Sequence, residues 1–481
     1  MNFKAISRNV GFALLASAFF MFVSILISIG KGNDSALAAL AISFIITFTV
    51  GIFPFIFVRK AENISLKDGY MIIVLSWVLS FVFGMLPYVL WGGPFSVANA
   101  LFESVSGYTT TGATVLANVE ALPDSLLFWR SSTHFIGGLG VVVFLLLILP
   151  SSNPMRLRLT RMELSSLSRE GYKSRANKIV RIFACVYFGL TFVLFLLYWI
   201  LGMSAFDAIN HAFSVVATGG FSTKNISMAA FDSPAINIVT MIFMVLSSIH
   251  FGLIFMAIAT RSLRPLNNPV LKFYVMSLLG ASILSSIFMR ADGLEWGDAC
   301  MSGFFHVISF VSTTGFAISD NNTWPLVVCA LVTVMSIACG MAGSTTGGVK
   351  SDRVYILLKN IAVQLKKYIH PSSVWNIRVG ESVLTQAEVF PHMVYLGLYL
   401  LVVGVSIILT IMAGIDFDNA FAASISCMSN VGPAVGDLGT MGNYNGISSL
   451  AKIIFVCDMF IGRVEIYPIL AVASMCLGRD R

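Results

Sequence analysis

The sequence predicts an all-α polytopic membrane protein, with ten transmembrane helices arranged as four span–short-helix–span repeats behind an N-terminal helix pair. Three observations predict it. Of 481 residues, 57% are hydrophobic and only 11% charged, whereas soluble domains run near 45–50% and about 25%. So few charges cannot cover a soluble fold of this length, and a water-soluble enzyme is excluded. Apolar runs long enough to cross a bilayer recur along the chain, and a short glycine-ended segment recurs four times in register.

A bilayer core needs roughly 20 apolar residues per helix. Runs free of Asp, Glu, Lys and Arg cover 10–30, 35–58, 69–102, 131–155, 182–206, 233–260, 273–289, 321–349 and 389–415, and a last hydrophobic stretch covers 449–478. One full span from each gives ten. The first run is too long for the apolar region of a signal peptide, and a second span follows at once. Most of the 30 Lys and Arg residues fall at the termini and in alternate loops, so both termini are expected to face the cytoplasm. The basic surplus is therefore topological and needs no nucleic-acid partner. Acidic residues lean to the opposite side, where they would concentrate cations. Seven cysteines without a CxxC pair read as small buried side chains. The six histidines show no metal-ligand spacing.

The repeat lies at 97–114, 205–222, 300–317 and 417–434. Aligned on Gly112, Gly220, Gly315 and Gly432, the segments share a serine six residues earlier: Ser106, Ser214, Ser309 and Ser426. Twelve residues earlier stands a small residue, and thirteen earlier Asn99, Asp207, Ser302 and Asn419, all expected as helix N-caps. Each segment reads as a helix of about three turns that enters the membrane partway and ends in an extended loop. The loops contain Thr110-Thr111-Gly112, Thr218-Gly219-Gly220, Thr313-Thr314-Gly315 and Asn430-Val431-Gly432. Non-helical backbone at membrane depth is tolerated only if it is buried in protein or lines a watery cavity. Four such loops about one axis would offer a ring of carbonyls to a dehydrated cation, beside the negative ends of four short helices.

These segments resemble the Trk/Ktr/HKT cation transporters. The match rests on residues 102–114, 217–223, 312–316 and 429–433, and the extra N-terminal pair is similar to the bacterial TrkH/TrkG-type branch. The resemblance implies potassium uptake across the bacterial inner membrane by a homodimer with one pore per protomer. It also implies K+ at the filter residues, no covalent cofactor, and a cytoplasmic TrkA-type nucleotide-binding regulatory subunit. The expected organisation is an N-terminal pair at 1–66 and repeats at 67–155, 156–264, 265–385 (with a broken second span) and 386–481.

Two further features are candidate gates. The run 340–348 holds Gly340, Gly343, Ser344, Thr345, Thr346, Gly347 and Gly348, and four glycines in nine residues disfavour a helix interior by about 1 kcal/mol each. It does not meet the phosphate-loop pattern. A broken helix lining a cavity is expected, and in the family this loop obstructs the pore. Arg463 lies midway along the last hydrophobic stretch, where a charge faces a cavity or a partner. The family's last span carries an arginine at the matching position as an electrostatic barrier. The rival reading is a secondary transporter coupling potassium entry to sodium or protons. Such proteins use inverted repeats around a midplane site, and four same-direction repeats favour a pore.

Overall fold

The computed structural model describes residues 2–58, 65–148, 172–372, 375–380 and 382–477. The expected boundary at 155/156, the basic residues Arg156 to Arg169 of the following loop, and the C-terminal Arg479 and Arg481 lie outside them.

The fold is helical. Among the described residues, six helices are long and apolar enough to cross a membrane: Phe3–Gly30, Leu37–Phe57, Lys67–Trp91, Val180–Ile200, Pro269–Ala291 and Gln386–Met412. A seventh is formed if the bent pair Pro234–Ser248 and Phe251–Thr260 counts as one span. Leu326–Ala338 and Ile466–Cys476 are shorter apolar helices. The outer faces are apolar: Phe19, Ile45, Ile283, Leu400 and Ile408 are exposed, while the interior holds many buried Ser, Thr, Asn and His side chains. That inversion suits a hydrocarbon solvent, which rewards no apolar burial and leaves polar groups to find partners inside.

The first two helices pack closely, since a methyl added at Gly11 would run into the Gly51 backbone carbonyl. The first helix leans on the rest of the chain through Ser17, whose hydroxyl meets the Tyr108 hydroxyl at 2.7 Å. At its far end Lys31 pairs with Asp124 at 2.8 Å, and that hydrogen bond raises the Lys31 ammonium above its ordinary range.

Four short helices lie between the longer ones in the chain: Val97–Tyr108, Ala205–Val216, Trp296–Val311 and Phe417–Ser429. Their starts correct the sequence reading. Asn99 and Asp207 are not N-caps; they lie three residues inside the helix, and the caps are Ser96 and Ser204, whose hydroxyls accept from the Asn99 and Asp207 amides. Ser302 lies mid-helix and Asn419 within the first turn. One apolar core surrounds the second and third short helices (Phe213, Phe305, Phe310), and another the first and fourth (Phe102, Val105, Met459).

Two expected continuous spans are broken. The run 233–260 bends by 101° between Ser248 and Phe251. The last stretch breaks at Glu465, whose left-handed backbone (φ 69°) separates Ser449–Val464 from Ile466–Cys476.

Candidate functional site

Each short helix ends in the same way. The residue two before the reference glycine is left-handed: Thr110 (φ 52°), Thr218 (57°), Thr313 (55°) and Asn430 (58°). For β-branched threonine this region is sterically unfavourable, and three instances at one offset mark a place where the surrounding structure holds strained backbone, as functional sites do. The hold is a pair of hydrogen bonds at every helix end. Thr111, Gly219, Thr314 and Val431 donate their amides to the carbonyls of Ser106, Ser214, Ser309 and Ser426 at 2.8–2.9 Å, and the preceding residue donates to the carbonyl three before it. This is the Schellman pattern, with threonine or asparagine where glycine is usual.

The shared serine thus has a backbone role in all four segments, and its hydroxyl adds another in two. Ser309 donates to the Phe316 carbonyl at 2.6 Å and Ser426 to the Pro433 carbonyl at 2.7 Å, tying the returning limb to its helix. Ser214 instead meets His134 Nδ1 at 2.7 Å, and the Ser106 hydroxyl has no partner.

The reference glycines are also left-handed, at φ 84°, 82°, 76° and 99°. A methyl added to Gly112 would strike the Gly219 carbonyl oxygen; on Gly220, that of Thr314; on Gly315, that of Val431; on Gly432, that of Thr111. The contacts close in cyclic order, loop one to two to three to four and back to one. Glycine is required here twice over, for its backbone hand and for the missing Cβ. The side chains of Thr110, Thr111, Thr218, Thr313, Thr314, Asn430 and Val431 are buried. Thr111 meets Thr109 at 2.8 Å and Thr314 meets Ser312 at 2.7 Å, a hydroxyl pair found in the two opposite loops. In the fourth loop Asn430 donates to the Thr111 hydroxyl at 3.0 Å.

The run 340–348 packs against the C-terminal ends of three of these helices. Helix Leu326–Ala338 stops before it, Ser351–Ile369 starts after it, and no helical residue lies between. The Thr345 hydroxyl donates to the carbonyl of Val216 at 3.0 Å and of Ser247 at 3.1 Å; the Gly347 amide donates to the Thr313 hydroxyl at 3.1 Å. A methyl on Gly347 would meet the Ser429 carbonyl and the Asn430 side chain. The same run explains the bend at 249–250. Its Met341 amide donates to the Ser248 carbonyl and the Phe251 amide donates to its Gly343 carbonyl, so the loop takes over hydrogen bonds that a straight helix would make internally. Gly340 and Gly343 have no room for a side chain against Ser248 and His250, and Gly348 none against Cys339.

Two cations hold consecutive carbonyls of this run. Arg463, buried, donates to the Thr345 carbonyl at 2.5 Å and the Gly137 carbonyl at 3.4 Å. Lys350 donates to the Thr346 carbonyl and, at 3.2 Å, to its hydroxyl. The neighbouring carboxylates do not neutralise Arg463: Glu465 pairs with Arg353 at 2.9 Å, and Asp458 accepts from Ser406. Sequence reasoning singled out Ser344 too; its hydroxyl donates to the Met341 carbonyl and meets Thr346 at 2.8 Å.

A family model described as a cation transport protein, TrkH, matches residues 36–481. The chain belongs to the TrkH family of cation transport proteins. The Trk system potassium uptake protein TrkH of Escherichia coli K12 is 31% identical over 487 residues, covering 100% of both chains. TrkG of the same strain is 30% identical over 92% of each. The crystal structure of the potassium transporter TrkH from Vibrio parahaemolyticus superposes with a TM-score of 0.89 at 30% identity, covering 98% of each chain. As a TrkH-family member the chain is a multi-pass membrane transport protein, not an enzyme.

Sequence reasoning missed several residues around the loops. Glu103 and Arg130 form a buried ion pair at 2.8 Å. His211 and His306 sit beside loops two and three. No local spacing joins positions 27 apart, but Glu103, His211 and His306 each stand nine before a reference glycine, a signal that a search for identical residues passes over.

Proposed function

We propose that this chain is the membrane subunit of a bacterial potassium-uptake system. Potassium sheds its water at a selectivity filter formed by Thr110–Gly112, Thr218–Gly220, Thr313–Gly315 and Asn430–Gly432, in a single-chain pore of fourfold pseudosymmetry. The carrying observation is the closed cycle in which each filter glycine faces a carbonyl of the next loop. Carbonyl rings replace a hydration shell, and four loops in cyclic contact are the arrangement that such a ring requires. The potassium named in the relatives agrees with it.

In this reading the chain crosses the bacterial inner membrane ten times, with both termini cytoplasmic, and works as a homodimer with one pore per protomer. The run 340–348 is the gate. It lies against three of the four helix ends, and Arg463 and Lys350 occupy carbonyls of the kind a passing cation would use. A cytoplasmic TrkA-type subunit supplies the opening energy, because only differential binding to open and closed states shifts a gate.

The test is flux through the purified protein in proteoliposomes. Potassium flux exceeding sodium flux, with no fixed stoichiometry to sodium or protons, is expected. Absence of cation flux, or potassium movement tied strictly to sodium or proton entry, would overturn the proposal.

A further inference from the structure

The residue nine positions before each filter glycine occupies the same place on its short helix: Glu103, His211, His306 and Ala423. All four are buried. The first three reach past the glycine to the limb that leaves the filter, and they do so with different chemistry. Glu103 accepts from the Thr114 hydroxyl at 3.0 Å and the Val115 amide at 3.0 Å, two and three residues after Gly112. The Nε2 of His211 meets the Ser222 hydroxyl at 2.9 Å, two residues after Gly220. In the third loop the hydroxyl position is Ala317, and His306 Nε2 accepts directly from the Ile318 and Ser319 amides at 3.2 and 3.4 Å.

The histidine tautomers are set by the helix. Nδ1 of His211 and of His306 lies 2.8 Å from the carbonyl four residues earlier, Asp207 and Ser302. A carbonyl only accepts, so Nδ1 carries the proton and Nε2 is free to accept. The Thr114 and Ser222 hydroxyls each also accept an amide two residues on, from Leu116 and Lys224. The limbs are therefore held by chains of hydrogen bonds anchored on one helical position.

The first anchor has a second function. Arg130, paired with Glu103, donates to the Ser222 carbonyl at 3.2 Å and lies 3.8 Å over the Phe221 ring. Phe221 stacks on His134, whose Nδ1 meets Ser214. One buried ion pair thus bridges the limbs of loops one and two. The fourth repeat, with alanine at both positions, keeps the Ser426 tie to Pro433 and gains one from outside: the Asn321 side chain, in the segment leaving loop three, donates to the Ala434 carbonyl at 2.7 Å.

We propose that Glu103, His211 and His306 are positioning residues that fix the exit limbs of filter loops one to three, with Arg130 locking loop one to loop two, and so set ion selectivity. The proposal rests on the filter reading above.

The test measures the potassium-to-sodium flux ratio in proteoliposomes, normalised to protein that elutes as a folded species. His306→Leu, which removes the acceptor, is expected to lower the ratio about tenfold, the scale on which deleting one hydrogen-bond partner acts at a buried site. His306→Gln, which retains an acceptor, is expected to recover most of it. Glu103→Gln, which leaves the buried Arg130 charge without its counter-charge, is expected to lower the ratio at least as far, and it keeps the test open should His306→Leu not fold. Unchanged ratios in folded Glu103→Gln and His306→Leu would overturn the proposal, as would equal losses in His306→Gln and His306→Leu. Gly112→Ser run in parallel separates the two levels. If it alone degrades selectivity, the props are wrong and the filter stands; if it too has no effect, the filter reading itself fails.

Discussion

Arg463 offers the sharpest perturbation of the proposed gate. Its guanidinium holds the carbonyls of Thr345 and Gly137, one in the run 340–348 and one in the helix following the first loop. Hydrogen bonds from a charged donor contribute about 1.5–3 kcal/mol, although the Arg463 Nε has no partner, which reduces the net hold. Removing this tether is therefore expected to shift the closed-to-open balance by about 1.5–2 kcal/mol, or roughly 13- to 30-fold. Two substitutions separate the tether from the charge. Arg463→Gln removes the charge and keeps one donor; Arg463→Lys keeps the charge and loses the forked geometry. Single-channel recording in planar bilayers without a partner subunit reads open probability and conductance separately. If the tether dominates, both variants raise open probability; if the barrier is electrostatic, Arg463→Lys stays near wild type while Arg463→Gln increases conductance. Unchanged open probability, conductance and ion preference in both variants would refute the gating role.

Other predictions follow from the same geometry. Gly347→Ala places a methyl against the Ser429 carbonyl and the Asn430 side chain; it should displace the run 340–348 and raise basal potassium leak, measured in liposomes without a partner. Ser309→Ala loses a 2.6 Å hydrogen bond to the Phe316 carbonyl and is expected to cost about 1–2 kcal/mol, read as a lower thermal midpoint in detergent. The equivalent Ser106→Ala loses no partner and should leave that midpoint unchanged within error; an equal drop in both would show that the hydroxyl hydrogen bonds are not what the shared serine provides.

The loops are legible in the sequence because their chemistry is local. A glycine with a serine six before it encodes a helix end and a left-handed turn, and both are readable at four places. The caps mislead for a local reason as well: a polar residue in the first turn resembles a cap, and only the hydroxyls of Ser96 and Ser204 reveal that the helix starts three residues earlier. The bend at 249–250 has no sequence signal, since neither Gly nor Pro interrupts Ser248-Ile249-His250-Phe251. It exists because backbone groups of a run ninety residues away complete its hydrogen bonds. The Glu103–Arg130 pair is hidden in the same way: Arg130 reads as one basic residue on the side poor in Lys and Arg, and its partner lies on another helix. In the sequence Lys350 reads as a basic residue of a cytoplasmic loop, and its bond to the Thr346 carbonyl depends on how the glycine run folds back.

The most direct test of the carbonyl ring compares Gly112→Ser with Gly446→Ser. At Gly112 a side chain meets left-handed backbone and the Gly219 carbonyl; at Gly446 it meets open space. Left-handed strain alone costs a non-glycine residue about 1–3 kcal/mol, and the added contact is relieved only by moving the Gly219 carbonyl. Potassium and sodium fluxes in matched proteoliposomes should show selectivity falling about tenfold or more in Gly112→Ser and unchanged in Gly446→Ser. Wild-type selectivity in a folded Gly112→Ser protein would contradict the assignment of these four loops as the filter.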